Sequence, residues 1–500
     1  MNSPSTIELS LISHTNAGKT TLARTLLGRD IGEVRDAPHV TEIAEAHSLL
    51  DTPEGDLLRL WDTPGFGDST RLVKRLTQSA NPVGWFLREV WDRFKDRPLW
   101  CSQQAMRAAR ESSDVVLYLV NAAENPSDAG YVAPEMQILK WVGKPVLVLL
   151  NQVGPPRPPA EEEAEEARWR SHVAPFDVVR DVITLDAFAR CWVQERVLLD
   201  HVRALVPAEK GPALDRLIAA WERVSVGRFH ASMQVLAQQL VAAARDREPI
   251  AVVAPASTAE KLLRTIGVGR RGDEAARDGA MQALADRLDA TIRGATDKLI
   301  ALHGLDGKAA AVVLERMRTN FSMNERVDEG RAALWGGVVS GALSGLATDL
   351  AAGGFTFGAG MLAGGVLGAF GAAGLARGYN MARGADEPAV SWSPTFLDGL
   401  TRAALLRYLA VAHFGRGRGK YQEGEAPAFW QEEVTELVLA RAAQFTALWV
   451  AADETDAVQL ENDLEQTLVE TGRALLDRLY PGRVPLVVST GIRAEHGVSS

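Results

Sequence analysis

Nine consecutive residues near the N-terminus, Ser13, His14, Thr15, Asn16, Ala17, Gly18, Lys19, Thr20 and Thr21, have the order and spacing of a loop that binds phosphate. The pattern GxxxxGK[ST] works because successive backbone N–H groups and a helix N-terminus converge on phosphate oxygens, while one lysine adds a mobile positive charge. In that arrangement Gly18 lets the main chain approach the β-phosphate, Lys19 reaches the β- and γ-phosphates, and the Thr20 hydroxyl ligates Mg2+. Ser13 stands where the pattern has its first glycine, and a serine is small enough for that turn provided its φ stays negative. Forty-three positions beyond Lys19 comes WDTPGFGD, an aspartate followed by a glycine turn. In such a pair the aspartate, here Asp62, organises the Mg2+ shell, and the N–H of Gly65 senses the γ-phosphate. The chemistry these residues point to is the binding and hydrolysis of a nucleoside triphosphate.

Several elements must hold those residues in place. TIELSLIS alternates apolar and polar residues as a strand running into the loop, and KTTLARTLLG continues as a helix closed by Gly28. AEAHSLL and LLRLWD flank the turn DTPEGD and predict a hairpin ending at Asp62. DVVLYLVNA (114–122) and PVLVLLN (145–151) are nearly continuous apolar runs, as strands buried on both faces are, with the helical APEMQILKWVG between them. FDVVRDVIT supplies a last strand before a helix from about Ala187 to Leu205. Strands alternating with helices predict an α/β domain with a mainly parallel sheet over residues 1–206.

Beyond Pro207 the pattern turns helical. Met281, Leu284, Leu288 and Ile292 repeat at helical spacing, and Ser257 with Glu260 has the form of a capping box. The expected division is a helical domain over 207–331, a glycine-rich apolar helical hairpin over 332–380 and a C-terminal helical region over 381–500. Residues 332–376 carry one charge, Asp349, and repeat small residues as GALSG and GMLAG, a spacing that lets helices pack closely in lipid. Their many glycines make them only weakly hydrophobic, so a membrane hairpin and a buried helical hairpin both fit. Arg416, Arg418 and Lys420 nearby suit anionic lipid headgroups or a solvated helix end.

Composition bounds the rest. Five hundred residues, 46% hydrophobic and 24% charged, imply two or three domains with true cores. A net charge of −10 argues against a general nucleic-acid partner, which needs clustered Lys and Arg. Cys101 and Cys191 are far apart and lack metal-ligand spacing, which suits a reducing cytoplasm, and the N-terminus lacks a secretory pattern. Localisation is therefore expected in the cytoplasm, with the inner face of its membrane as the further candidate.

SHTNAGKTT and WDTPGFGD, in this order and with these strands, resemble the phosphate-loop GTPase superfamily that includes Era, TrmE and the ribosome-binding GTPases, over roughly residues 6–205. The whole chain looks like a bacterial family in which such a domain is fused to a helical, glycine-rich C-terminal domain of unknown function. The resemblance implies GTP and GDP as ligands, Mg2+ as cofactor and a nucleotide switch. It places Thr41 at the switch I threonine that contacts Mg2+ and γ-phosphate, with Thr52 as its rival, and matches Asn16 to the asparagine that helps bind K+ in the Era and TrmE group. Phe66 follows DTPG where Ras-type proteins carry a catalytic glutamine; a phenyl ring cannot orient water, so unaided hydrolysis is expected to be slow.

Guanine readers use NKxD after the fifth strand, and this chain has NQVG. Asn151 is retained, Gln152 replaces the lysine that packs on the base, and Gly154 removes the carboxylate that reads guanine. The acidic run after it returns Glu161, Glu162 or Glu163 to the base or leaves them on a solvated helix face, and TLDAF (184–188) is where the last base-contacting loop belongs. The insertion with Trp85, Phe86, Trp91, Phe94 and Trp100 offers a surface for a protein partner, self-association or packing on the helical region. Three readings stand: a GTP-hydrolysing switch coupled to a helical, membrane-associated domain; a nucleotide-binding scaffold with little hydrolysis; and a ribosome or RNA assembly factor.

Overall fold

The computed structural model describes residues 4–14, 17–28, 44–66, 69–77, 97–154, 156–187, 191–250, 270–305, 379–381, 389–414 and 428–484. The expectations for Thr15, Asn16, Thr41, most of the aromatic insertion, Ser257, Glu260, residues 332–376 and the basic loop at 416–420 lie outside these residues.

The N-terminal sheet has six strands: β1 (Thr6–Ser13), β2 (Glu45–Asp51), β3 (Leu57–Asp62), β4 (Val115–Asn121), β5 (Val146–Asn151) and β6 (Val179–Thr184). Their spatial order is β2-β3-β1-β4-β5-β6. Only the β2–β3 pair is antiparallel, the hairpin expected around DTPEGD; the other pairs are parallel. The chain leaves β1 towards β3 on one side and later returns to β4 on the other. The carboxyl end of β1 is therefore a topological switch point, where open α/β sheets bind ligands. Helices α1 (Lys19–Leu27), α2 (Ser69–Leu76), α3 (Arg97–Glu111), α4 (Val132–Val142), α5 (Pro159–Val173) and α6 (Trp192–Leu205) flank this sheet.

The sheet is buried on both faces, which explains its continuous apolar strands. Ile7, Leu9 and Leu11 of β1 enter one core with Leu58, Leu60, Leu117 and Leu149, while Ile12 enters the other with Tyr118, Val120 and Leu150. The first of these cores runs without a break into the helical region. There α7 (Gly211–Arg245) packs on α6, α8 (Arg270–Leu302), α9 (Pro394–Ala412) and α12 (Ala457–Leu479), with α10 (Ala428–Ala440) and α11 (Ala442–Val450) beside α12. One feature escapes the helical expectation for this region. β7 (Arg247–Pro249), β8 (Tyr379–Met381) and β9 (Ala389–Trp392) form a small antiparallel sheet in the order β7-β9-β8. Strands of three or four residues carry too few alternations to register as periodicity.

Polar contacts also join the two regions. The Arg216 guanidinium on α7 donates to both oxygens of the fully buried Asp56 in the β2–β3 turn, at 2.7 and 2.9 Å, and holds that carboxyl below its ordinary range. The Lys210 ammonium bonds the carbonyl of Thr6 and the carboxylate of Asp114, both beside β1. No described helix is long and apolar enough to cross a membrane.

Gly472 sets how closely α12 approaches α7: a Cβ there would lie 3.1 Å from two Phe229 ring carbons and 3.3 Å from the Met233 sulfur. Both partners are buried, so the ring has little room to retreat. Gly472→Val is expected to cost about 1–3 kcal/mol through overpacking. Denaturant unfolding reads this as a lower midpoint at unchanged slope; an unchanged midpoint would place the two helices out of this contact.

Candidate functional site

The loop between β1 and α1 turns on Gly18, which caps α1 at φ 86°, ψ 25°. The left-handed backbone disfavours a side chain, and a Cβ would stand 2.7 Å from the Asn151 amide nitrogen and 3.4 Å from that of Gln152. Asn151 is fully buried at the end of β5 and clamps two loops at once. Its Nδ2 donates to the Ala17 carbonyl at 2.8 Å, and its Oδ1 accepts from the Ala187 N–H at 2.9 Å. Thr25 of α1 closes the triangle by donating to the Ala187 carbonyl at 2.9 Å. Ser13 meets the condition set for it, because Gln152 is the only non-glycine with positive φ among the described residues.

Lys19 is 7% exposed, and its ammonium donates to the Ser13 hydroxyl at 2.8 Å. The residue in place of the first glycine thus holds the lysine. Burial lowers the Lys19 pKa, opposed by the carboxylates of Asp62 and Glu135. Thr20 donates to Asp62 Oδ2 at 2.7 Å, while the buried Asp62 Oδ1 has no hydrogen-bond partner. Burial raises the Asp62 pKa against the Thr20 bond and the Lys19 charge. A hydroxyl and a carboxylate in contact, with one carboxylate oxygen orphaned in a buried place, are hard oxygen donors that fit Mg2+. No cluster of three or more His, Cys, Asp or Glu side chains forms a separate metal centre among the described residues.

The DTPG turn lies against this loop. Phe66 N–H donates to the Ser13 carbonyl at 2.9 Å, and His14 and Phe66 form a parallel bridge. The Phe66 ring is fully buried in the core with Ile12 and Tyr118. Thr63 anchors the turn by donating to the Leu11 carbonyl. Thr21 is buried on α1, and Thr52 sits in the hairpin turn, donating to Asp56 at 3.2 Å. β3 runs from that turn towards Asp62, so Thr52 is at the end of the strand away from the loop.

Sequence reasoning missed Glu135. It lies on α4 with no exposure, and its carboxylate receives three donors: His14 Nδ1 to Oε1 at 2.8 Å, Ser69 Oγ to Oε1 at 2.6 Å and Tyr118 OH to Oε2 at 2.6 Å. His14 also stacks on Tyr131, with ring centroids 4.6 Å apart. The available signal was a lone carboxylate among the apolar positions Val132, Met136 and Leu139 of APEMQILKWV.

Where the base-reading loops belong, Gln152 adopts φ 61°, and the Val153 N–H donates to Asp186 Oδ2 at 2.7 Å. Asp186 is buried, in the TLDAF segment expected there. The N-cap of α6 is Cys191, which accepts from Val193 N–H, so the helix starts at Trp192 and not near Ala187. A cleft beside the loop is lined by Val153, Gly154, Arg157, Glu162, Asp186 and, from the C-terminal region, Tyr480. Of the three glutamates proposed for the base, Glu161 and Glu163 are placed at the α5 surface or its rim and Glu162 in the cleft. Burial, with repulsion from Glu166, pushes the Glu162 carboxyl up to about 7.

That shift has a sign. A carboxyl raised in the folded state binds its proton more tightly there, so folding is penalised progressively as pH rises from the ordinary carboxylate range through about 7. Glu162→Gln is expected to be more stable than wild type by about 2–3 kcal/mol at pH 8 and equal to it near pH 4. Thermal unfolding at the two pH values checks this; an advantage independent of pH would contradict it.

No curated protein matches the chain. Among solved structures it is similar to Era in complex with MgGDPNP and a 16S ribosomal RNA segment (16% identity, TM-score 0.30, 41% of this chain and 58% of that one). It is also similar to an Aquifex aeolicus Era variant bound to GDP and AlF4− (15%, TM-score 0.29, 40% and 57%). A third is the FeoB G-domain from Methanococcus jannaschii (15%, TM-score 0.21, 36% and 86%). The chain spans somewhat over half the length of the two Era chains. Residues 8–152 match the family model described as 50S ribosome-binding GTPase. Residues 178–470, more than half of the chain, match the model described as Domain of unknown function (DUF3482), so the chain belongs to that family and joins its domain to a phosphate-loop GTPase domain.

Proposed function

We propose that the N-terminal domain binds a guanine nucleotide with Mg2+, hydrolyses GTP slowly, and serves as a switch read by the helical domain. The observation that carries this reading is the pairing of a buried Lys19 ammonium, held by Ser13, with the Thr20–Asp62 contact that leaves Asp62 Oδ1 without a partner. In this reading Lys19 and the N–H groups of residues 14–21 receive the phosphates. Thr20 and Asp62, with Thr41 of switch I, hold the Mg2+, and Gly65 reports the γ-phosphate. The metal supplies neutralisation of the charge between β- and γ-phosphate oxygens. Asn16 is the candidate K+ ligand.

One contact supports a role for the helical domain in reading the nucleotide. Tyr480 lines the cleft beside Val153, Gly154 and Asp186, the loops expected to read the base. A specific observation favours a second reading, a scaffold that binds nucleotide and turns it over little: Phe66 is wholly buried at the position of the water-orienting residue. Era's RNA partner is a property of Era; the net charge of −10 weighs against carrying it to this chain.

Calorimetric titration with Mg-GTP, Mg-GDP and Mg-ATP, followed by single-turnover hydrolysis with K+, tests this reading. Guanine nucleotides are expected to bind more tightly than ATP and GTP to turn over slowly. Gly18→Ala, which meets Asn151 at 2.7 Å in a left-handed backbone, is expected to lose binding and about 1–2 kcal/mol of stability. Equal binding of ATP would remove the guanine assignment, and binding without turnover would favour the scaffold.

A further inference from the structure

Glu135 stands outside both nucleotide motifs yet touches the parts that carry them. His14 is the second residue of the phosphate loop; Ser69 is the first of α2, four positions after Gly65. Both donate to the same oxygen, Oε1, at 2.8 and 2.6 Å, while Tyr118 on β4 fixes Oε2 at 2.6 Å. Resting on the nucleotide-switch reading above, we propose that Glu135 is a positioning residue that latches the start of α2 to the phosphate loop, and that the γ-phosphate opens this latch.

The sharing of one acceptor makes the two donors interdependent. A carboxylate with no exposure must keep its donors or lose a large part of its solvation, so it cannot follow either donor into a new position. Tyr118 and the body of α4, packed through Met136, Ile138 and Leu139, hold it still. A γ-phosphate that draws the Gly65 N–H inward moves the chain leading to α2, and Ser69 then leaves Oε1. GDP makes no such demand, and the latch stays closed. Glu135 has a second effect: with Asp62 it is one of the carboxylates that neutralise Lys19, and its charge opposes the arrival of any phosphate.

These two effects separate by variant. Ser69→Ala removes the latch bond without altering charge. It is expected to raise the preference for a non-hydrolysable GTP analogue over GDP by on the order of tenfold, the weight of one hydrogen bond to a charged acceptor. Glu135→Gln keeps the side chain's shape, removes its charge and weakens the acceptor of the latch bond, and is expected to tighten GDP by several-fold and the GTP analogue by more. A purely structural carboxylate would give the opposite, weaker binding of both. The experiment is calorimetric titration of the full chain, wild type and both variants, with Mg-GDP and the Mg-bound analogue, alongside a thermal unfolding curve for each. Wild-type binding with an unchanged analogue-to-GDP ratio in Ser69→Ala overturns the latch and leaves the nucleotide site standing. Weaker binding of both nucleotides by a folded Glu135→Gln overturns the electrostatic part. Failure of the wild type to bind either nucleotide overturns the latch together with the reading it rests on.

Discussion

A lysine ammonium buried at the mouth of a sheet has to be matched by negative charge, and the buried polar groups around the β1–α1 loop follow from that requirement. Lys19 has little solvent of its own, and burial works against its charge. Asp62 and Glu135 offset the cost from two directions, one at the end of β3 and one on α4, and Ser13 supplies the direct hydrogen bond. Each compensating group is itself buried and needs support: Thr20 for Asp62, and His14, Ser69 and Tyr118 for Glu135. The result is a connected set of buried polar groups around Lys19.

Connection to the rest of the chain runs through packing as well as charge. One apolar core passes from the β1 face of the sheet into α7 and its neighbours, so the helical region covers that face. Asp56 at the far end of the β2–β3 hairpin is gripped by Arg216 of α7, and Asp114 before β4 by Lys210. Asn151 bonds Ala17 and Ala187, and Tyr480 of the helical region lines the cleft beside Val153 and Asp186.

Much of the N-terminal domain was legible in the sequence, because phosphate chemistry imposes a fixed order on a few small residues. The strands, the hairpin and the contact between the Thr20 and Asp62 positions all follow from spacing and periodicity. Glu135 was not legible, since a single carboxylate inside an apolar helix names neither its donors nor their distance in sequence; His14 is 121 positions away. The late start of α6 was hidden for a similar reason: Ala187, where the helix was expected to begin, is bonded to Asn151 and Thr25, and the cap falls on Cys191. Glu162 shows the limit of reading acidic runs as solvated faces. Its neighbours lie towards water, and it alone of the three turns into the cleft, where burial raises its pKa.

The central claim is that Lys19 and its loop are built for nucleotide phosphate. The most direct measurement is the unfolding free energy of wild type and Lys19→Ala with and without Mg-GDP. At about 100 times the dissociation constant, a bound ligand adds roughly 2.7 kcal/mol to stability. That gain is expected in wild type and not in Lys19→Ala. An equal gain in both proteins, or no gain in wild type with Mg-GDP or Mg-GTP, would contradict it.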